Sequence, residues 1–220
     1  MSNKTRSSLI EILDYFIISW QRRQEMSKRI LVAGIDEIDP SKFNEPIDEM
    51  KNIFFGSMNK PEGCLWGSTY TPDAAYPSDW IRCVQDECYE VEKYNHGIVF
   101  RLNRNARVCE IDSVESYREM MKTFKITLDV HSKSEMSWWK NPISVNWAEL
   151  SKAYDAFHLT EDAFWSMRLP TDNRLDTDEG ILPNFYAYDC ETWIIFNLDC
   201  INKGSILNLS IPLVDCWRDF

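Results

Sequence analysis

The chain is short of positive charge, of histidine and of long apolar runs. Lys and Arg total 24 against 35 Asp and Glu, which leaves a net charge of −11 and a pI near 4.8. A field of that sign repels phosphate backbones, so non-specific binding to DNA or RNA is excluded. It leaves room for a basic protein partner or a locally basic pocket. No apolar stretch approaches the roughly 18 residues that span a bilayer. The run from Leu9 to Trp20 is broken by Glu11 and Asp14 and lacks a small-residue cleavage pattern. The expected setting is a cytoplasm, with no membrane partner.

Three histidines (His96, His131 and His158) and seven scattered cysteines without a C-x-x-C pair make a metal site unexpected. Cys64, Cys83, Cys88, Cys109, Cys190, Cys200 and Cys216 read as reduced thiols, mostly buried as small apolar groups. A cysteine-based hydrolase needs one of these thiols activated beside a histidine, for example Cys64 with His96. The usual catalytic signatures are missing too: no G-x-G-x-x-G, no P-loop, no H-E-x-x-H and no G-x-S-x-G.

What is abundant is apolar and aromatic surface. Hydrophobic residues make up 44% of the 220, with nine Trp, nine Tyr and eleven Phe, enough for one packed domain and against disorder. Helical spacing of Ile10, Leu13, Phe16, Ile17 and Trp20 predicts a helix over 8–23, followed by a buried strand over 29–35. Residues 1–50 then form an N-terminal extension to a core spanning 51–220. Further strands are predicted over 52–57, 63–72, 154–159, 188–197 and 205–214, and the strands 97–102 and 107–111 are predicted to pair as a hairpin. Ser78, Asn146 and Thr160 are expected helix N-caps, and Asp112 with Glu115 a capping box. The acidic stretch 171–179 reads as a surface connector, Trp138 and Trp139 as packing, and His158 as a satisfied structural histidine. Strands and helices mix without regular alternation, which favours an α+β domain with a curved or split sheet.

Two stretches stand out. Residues 63–72 are bounded by a glycine turn and a proline. Strand alternation puts Trp66, Ser68 and Tyr70 on one face and Leu65, Gly67 and Thr69 on the other. This is either an edge strand with two aromatics or one wall of a site for a flat, polar ligand. Downstream, Glu191 precedes the apolar run Trp193-Ile194-Ile195-Phe196, and alternation places Asp189 on its face. Carboxylates are rarely buried unless paired or working. The alternative is an exposed strand end with a structural ion pair.

The order of several short motifs resembles the ADP-ribosyltransferase superfamily, as found in bacterial toxins and phage proteins. They are Phe55-Gly56-Ser57, Trp66-Gly67-Ser68-Thr69-Tyr70, Ser78-Asp79-Trp80, the strand from Gly97 to Leu102 leading to Ala106 through Asp112, Tyr154-Asp155-Ala156, and Tyr188-Asp189-Cys190-Glu191. The resemblance covers about residues 50–200. It implies a split, mostly antiparallel sheet gripping NAD, which is consumed as substrate without a metal. On that resemblance Ser57, Trp66, Ser68, Thr69 and Tyr70 contact NAD, with Trp66 or Tyr70 stacking on nicotinamide. Glu191 is catalytic, and Asp189 orients an acceptor on a protein partner. The implied activity is that of an NAD-dependent mono-ADP-ribosyltransferase or NAD glycohydrolase. Cleavage of the nicotinamide–ribose bond passes through an oxocarbenium-like state, which a carboxylate stabilises. One departure is visible: the family's first strand presents Arg or His to the dinucleotide, and Phe54-Phe55-Gly56-Ser57 has neither. Lys60, Arg29 or Arg101 are the replacements at hand. The missing cation favours the alternative, a non-catalytic acidic interaction or inhibitor protein that retains the fold.

Overall fold

Large apolar side chains fill the centre of this molecule, with Trp193, Tyr117, Phe100, Phe157 and Phe164 almost wholly buried. The structure is a computed structural model that describes residues 28–43, 60–127, 143–168, 176–177, 180–181, 185 and 188–212. The predicted helix over 8–23, the strand over 52–57 with Ser57, and Trp138–Trp139 lie outside the described residues.

The strands are β1 (Ile30–Ala33), β2 (Leu65–Thr69), β3 (His96–Phe100), β4 (Val108–Ile111), β5 (Lys125–Thr127), β6 (Ile143–Val145), β7 (Ala156–Leu159), β8 (Asp176–Thr177), β9 (Gly180–Ile181), β10 (Thr192–Ile195) and β11 (Leu207–Ser210). The helices among the described residues are α1 (Asp79–Asp86), α2 (Val114–Phe124), α3 (Trp147–Ala153) and α4 (Glu161–Met167). Seven strands form one open sheet in the order β11-β3-β1-β2-β10-β7-β4. Every neighbouring pair is antiparallel except β4 with β7. That parallel pair needs a long crossover, supplied by α2, β5, β6 and α3. The α+β class with a mostly antiparallel sheet therefore holds. No helix among the described residues is long and apolar enough to cross a membrane.

The hairpin predicted between β3 and β4 does not form. β3 is buried from Gly97 to Phe100 and takes a partner on each edge, β1 and β11, so no edge is left for β4. The chain instead crosses to the far edge, where β4 pairs with β7. The strand predicted within the N-terminal extension is β1, an inner strand between β3 and β2.

Alternation sorts the core. Ile194 and Phe157 point into a cluster covered by α2, α3 and α4, with Tyr117, Met121, Leu150 and Phe164. Trp193, Ile195 and Ala156 point to the opposite face, onto Ile30, Val32, Ile98 and Phe100. Each buried side chain of this size is worth about 1.5–3 kcal/mol relative to exposure. Gly67 lets β1 and β2 close together: a Cβ there would stand 2.7 Å from Ile30 Cγ2 and 2.8 Å from the Leu31 carbonyl oxygen.

Helix starts follow local chemistry. The side chains of Ser78, Asn146 and Thr160 accept from the N–H groups of Ile81, Glu149 and Ala163, as expected. The α2 cap is displaced by one residue. Ser113, extended at φ −158°, caps the Ser116 N–H in a reciprocal box, while Asp112 accepts from the Ser113 hydroxyl instead.

Candidate active site

The strand predicted over 188–197 begins at Thr192, and the four residues before it turn. Asp189 takes the left-handed region at φ 67°, which Asp tolerates better than most residues. That turn breaks the alternation expected between positions 189 and 191. Asp189 points outward and pairs with Lys60 at 3.8 Å, away from the carboxylate of Glu191.

Glu191 turns inward at a fork in the sheet. β2 and β10 pair through Gly67 and Trp193, and extending that register brings Glu191 opposite Thr69. The ladder stops there, while β2 stays with β1: the Tyr70 N–H donates to the Arg29 carbonyl at 2.7 Å. In the opening the Glu191 carboxylate takes over as acceptor. Oε2 accepts from the Ser68 hydroxyl and the Thr69 N–H, both at 2.8 Å. Oε1 accepts from the Thr69 hydroxyl and from His158 Nε2, both at 2.7 Å. A buried carboxylate can be tolerated because its acceptor sites are filled.

These partners are held in turn. Thr69 Oγ1 accepts from Trp193 Nε1 at 2.9 Å, and the Trp80 N–H approaches the Ser68 hydroxyl at 3.4 Å. His158 on β7 is 2% exposed and stacks on Trp193, with ring centres 3.9 Å apart and planes 12° from parallel. Its Nδ1 lies 2.7 Å from Glu110 Oε2 on β4, and Lys28 Nζ lies 3.4 Å from the same oxygen. The line Lys28–Glu110–His158–Glu191–Thr69–Trp193 thus crosses four strands.

Burial is the largest single influence on His158 and disfavours its charged form. The hydrogen bonds to Glu110 and Glu191 outweigh it and hold the imidazole pKa above its ordinary value. Burial likewise pushes Glu191 up, but the hydrogen bond and charge of His158 and the two bonds from Thr69 bring it below the usual range. Glu191 is an anion here.

A cavity of about 440 Å³ opens over this floor. Its walls include Lys28, Thr69, Tyr76, Arg82, His158 and Glu191. Arg82 on α1 is clamped between Asp79 at 3.0 Å and Glu161 at 3.2 Å. Half-buried Asp79 is shifted upward, chiefly by burial and by the charge of Glu161. A second cavity of about 820 Å³ adjoins the first across Asp79 and Arg82, and includes Lys60, Trp80, Trp165, Arg168 and Asp189.

Of the residues singled out from sequence, Glu191, Ser68 and Thr69 come together as one hydrogen-bonded unit. Trp66 and Tyr70 do not join them. Trp66 packs on Tyr188 beside the core, and Tyr70 packs against the cluster of Leu31, Ile81 and Val99. Among the described residues, the tyrosine on the cavity wall is Tyr76. The lysine and arginine at the cavity, again among the described residues, are Lys28 and Arg82, while Lys60 lines the neighbouring one and Arg101 sits by the Ser205 turn. His158 is satisfied, as expected, yet it belongs to the site. Glu110, Lys28, Tyr76 and Arg82 were not foreseen, and the only sequence trace of them is the charge of Arg82 on a helix face one turn from Asp79.

Five of the described cysteines are poorly set up as nucleophiles. Cys64, Cys109 and Cys200 are each pushed up to about 12 by burial, and Cys83 and Cys190 also rise, first through burial. Among the described residues, no group of three or more His, Cys, Asp and Glu side chains is arranged to hold a metal ion. Comparison with protein-family models, curated proteins and solved structures gave no match.

Proposed function

We propose that this protein is an NAD-cleaving enzyme, an ADP-ribosyltransferase or NAD glycohydrolase, in which Glu191 stabilises the developing ribosyl cation. The observation that carries the reading is the union of Ser68, Thr69 and Glu191. Two residues from the Trp-Gly-Ser-Thr-Tyr strand and one from the late Tyr-Asp-Cys-Glu segment, more than 120 positions apart, meet in one hydrogen-bonded cluster.

The chemistry follows from the charges. Leaving nicotinamide takes the bonding electron pair, and positive charge builds on the ribose. A carboxylate already fixed by four donors stabilises that charge without reorganising. A ribose hydroxyl reaching Glu191 displaces the rotatable Ser68 or Thr69 hydroxyl before the backbone N–H. Lys28 and Arg82 provide positive charge for a pyrophosphate at a site otherwise acidic, and Tyr76 offers a ring for stacking. A cavity of about 440 Å³ lies within the range that small ligands occupy. The nucleophile, water or an acceptor side chain, then attacks the ribosyl carbon and releases its proton. Release of free nicotinamide from NAD by the purified protein, alone and with added lysate, tests the reading.

One observation favours a second reading. Each Glu191 oxygen already accepts two protein hydrogen bonds, which also describes a structural carboxylate in a non-catalytic acidic binding protein. Titration calorimetry separates the two. The enzyme binds NAD, and the rival shows no heat at millimolar NAD.

A further inference from the structure

One of the four donors to Glu191 has a second carboxylate behind it. His158 presents both ring nitrogens to carboxylate oxygens at 2.7 Å, Nε2 to Glu191 and Nδ1 to Glu110. A neutral imidazole has one donor and one acceptor nitrogen, so it would aim a lone pair at one of the two anions. With both nitrogens protonated, both contacts become charge-assisted hydrogen bonds. The ring cannot swing away, because it is 2% exposed and lies flat on Trp193. From this geometry we infer that His158 is a clamp, cationic at neutral pH and fixed by Glu110, that sets the orientation of Glu191 and the net charge around it. His158 and Glu110 are positioning residues in the proposed cleavage, so their part in turnover rests on that reading.

Glu110 has a definite task in this arrangement. An imidazolium alone would cancel the charge of Glu191 and remove the field that favours a ribosyl cation. A second carboxylate behind the ring restores one net negative charge to the triad. Among the described residues, the groups facing it include Lys28 from the segment before β1, Ser68 and Thr69 from β2, and Asp79 from α1, whose pKa the charge of Glu191 helps to raise. Lys28 opposes the imidazolium, and the two carboxylates outweigh it. Proton transfer through the ring is blocked while both nitrogens carry hydrogen, so the clamp acts by charge and position, not as a base. The alternative microstate, a neutral ring with a protonated Glu110, would place a carboxylic acid beside Lys28, which disfavours it.

The test uses the full chain labelled with 15N-histidine, in which three histidines give three pairs of ring nitrogen signals. His158 is assigned by the pair of signals lost in His158→Gln. In the wild type at pH 8 both ring nitrogens are expected to be protonated, with a midpoint above the ordinary value of about 6.5. Glu110→Gln is expected to bring that midpoint down and to lower NAD turnover about tenfold or more, with KM for NAD within about twofold. Glu110→Asp, which keeps the charge, is expected to return the protonated ring. A wild-type ring that is neutral at pH 7 overturns the inference. So does a Glu110→Gln variant whose His158 signals keep the wild-type titration. If the wild type releases no nicotinamide, the functional reading falls by itself and the ring titration still decides the clamp.

Discussion

Glu191 Oε1 sits 2.7 Å from His158 Nε2 at the point where β2 and β10 part. The contact joins a turn residue to an inner strand, and both side chains are almost wholly buried. A paired, immobile carboxylate facing a cavity is the feature from which the expected behaviour of the protein follows.

Thr69 bridges Glu191 and Trp193 through one hydroxyl. Thr69→Val keeps the β-branched shape but leaves the indole N–H and one carboxylate oxygen without that partner. A loss of about 1–3 kcal/mol in urea unfolding is expected. NAD turnover should fall at least as steeply, because the carboxylate loses a fixed donor. Ser68→Ala removes a single bond from Oε2 and should cost less on both measures.

Tyr76 lies on the cavity wall and outside the buried core. Tyr76→Ala should weaken NAD binding about tenfold, equivalent to about 1.4 kcal/mol, with the melting temperature unchanged. Calorimetry with NAD and a thermal melt check both halves. Trp66→Ala should behave in the opposite sense, lowering the melt through lost packing on Tyr188.

Asp155 gathers the starts of β4 and β7 and the end of β10. It accepts from the Arg107 backbone N–H at 2.9 Å, from the Arg107 guanidinium and from Asn197. Those bonds, the Arg107 side chain first, hold its pKa below the usual value. A carboxylate depressed on folding contributes stability that is present above its unfolded value of about 3.9 and is lost as pH falls through the folded value. Unfolding free energy should therefore decline in that acid window, and Asp155→Asn should flatten the decline while lowering stability at neutral pH.

Thiol chemistry gives a further check. Cys64, Cys109, Cys190 and Cys200 are buried with raised pKa values. Iodoacetamide at pH 8 should leave these four unmodified in the native protein and label them after denaturation. Rapid native labelling of any one, read by mass spectrometry, would point to a cysteine enzyme instead.

Local signals were legible in the sequence and pairings over long separations were not. Ser78, Asn146 and Thr160 cap their helices because capping depends on a few neighbouring residues. The hairpin between β3 and β4 failed because short sequence separation says nothing about which edges are already taken. Glu191 with Ser68 and Thr69 was reached through motif order. Alternation left Trp66 and Tyr70 open between packing and a ligand and the resemblance assigned them to NAD, whereas both are used for packing. It also aligned Asp189 with Glu191 across a turn that it cannot detect. His158 and Glu110 carry no local mark of their pairing; the parallel register of β4 and β7 brings them side by side. Tyr76 and Arg82 reach the cavity from a loop and a helix, where periodicity describes burial but not what a polar tip will face.

The most direct measurement is nicotinamide release by Glu191→Gln set beside NAD affinity. The substitution keeps the shape but removes the negative charge and turns one acceptor into a donor facing Ser68, Thr69 or His158. Release should drop by at least about a hundredfold, while calorimetry still detects NAD binding to the folded variant. Turnover equal to the wild type would contradict the assignment of Glu191.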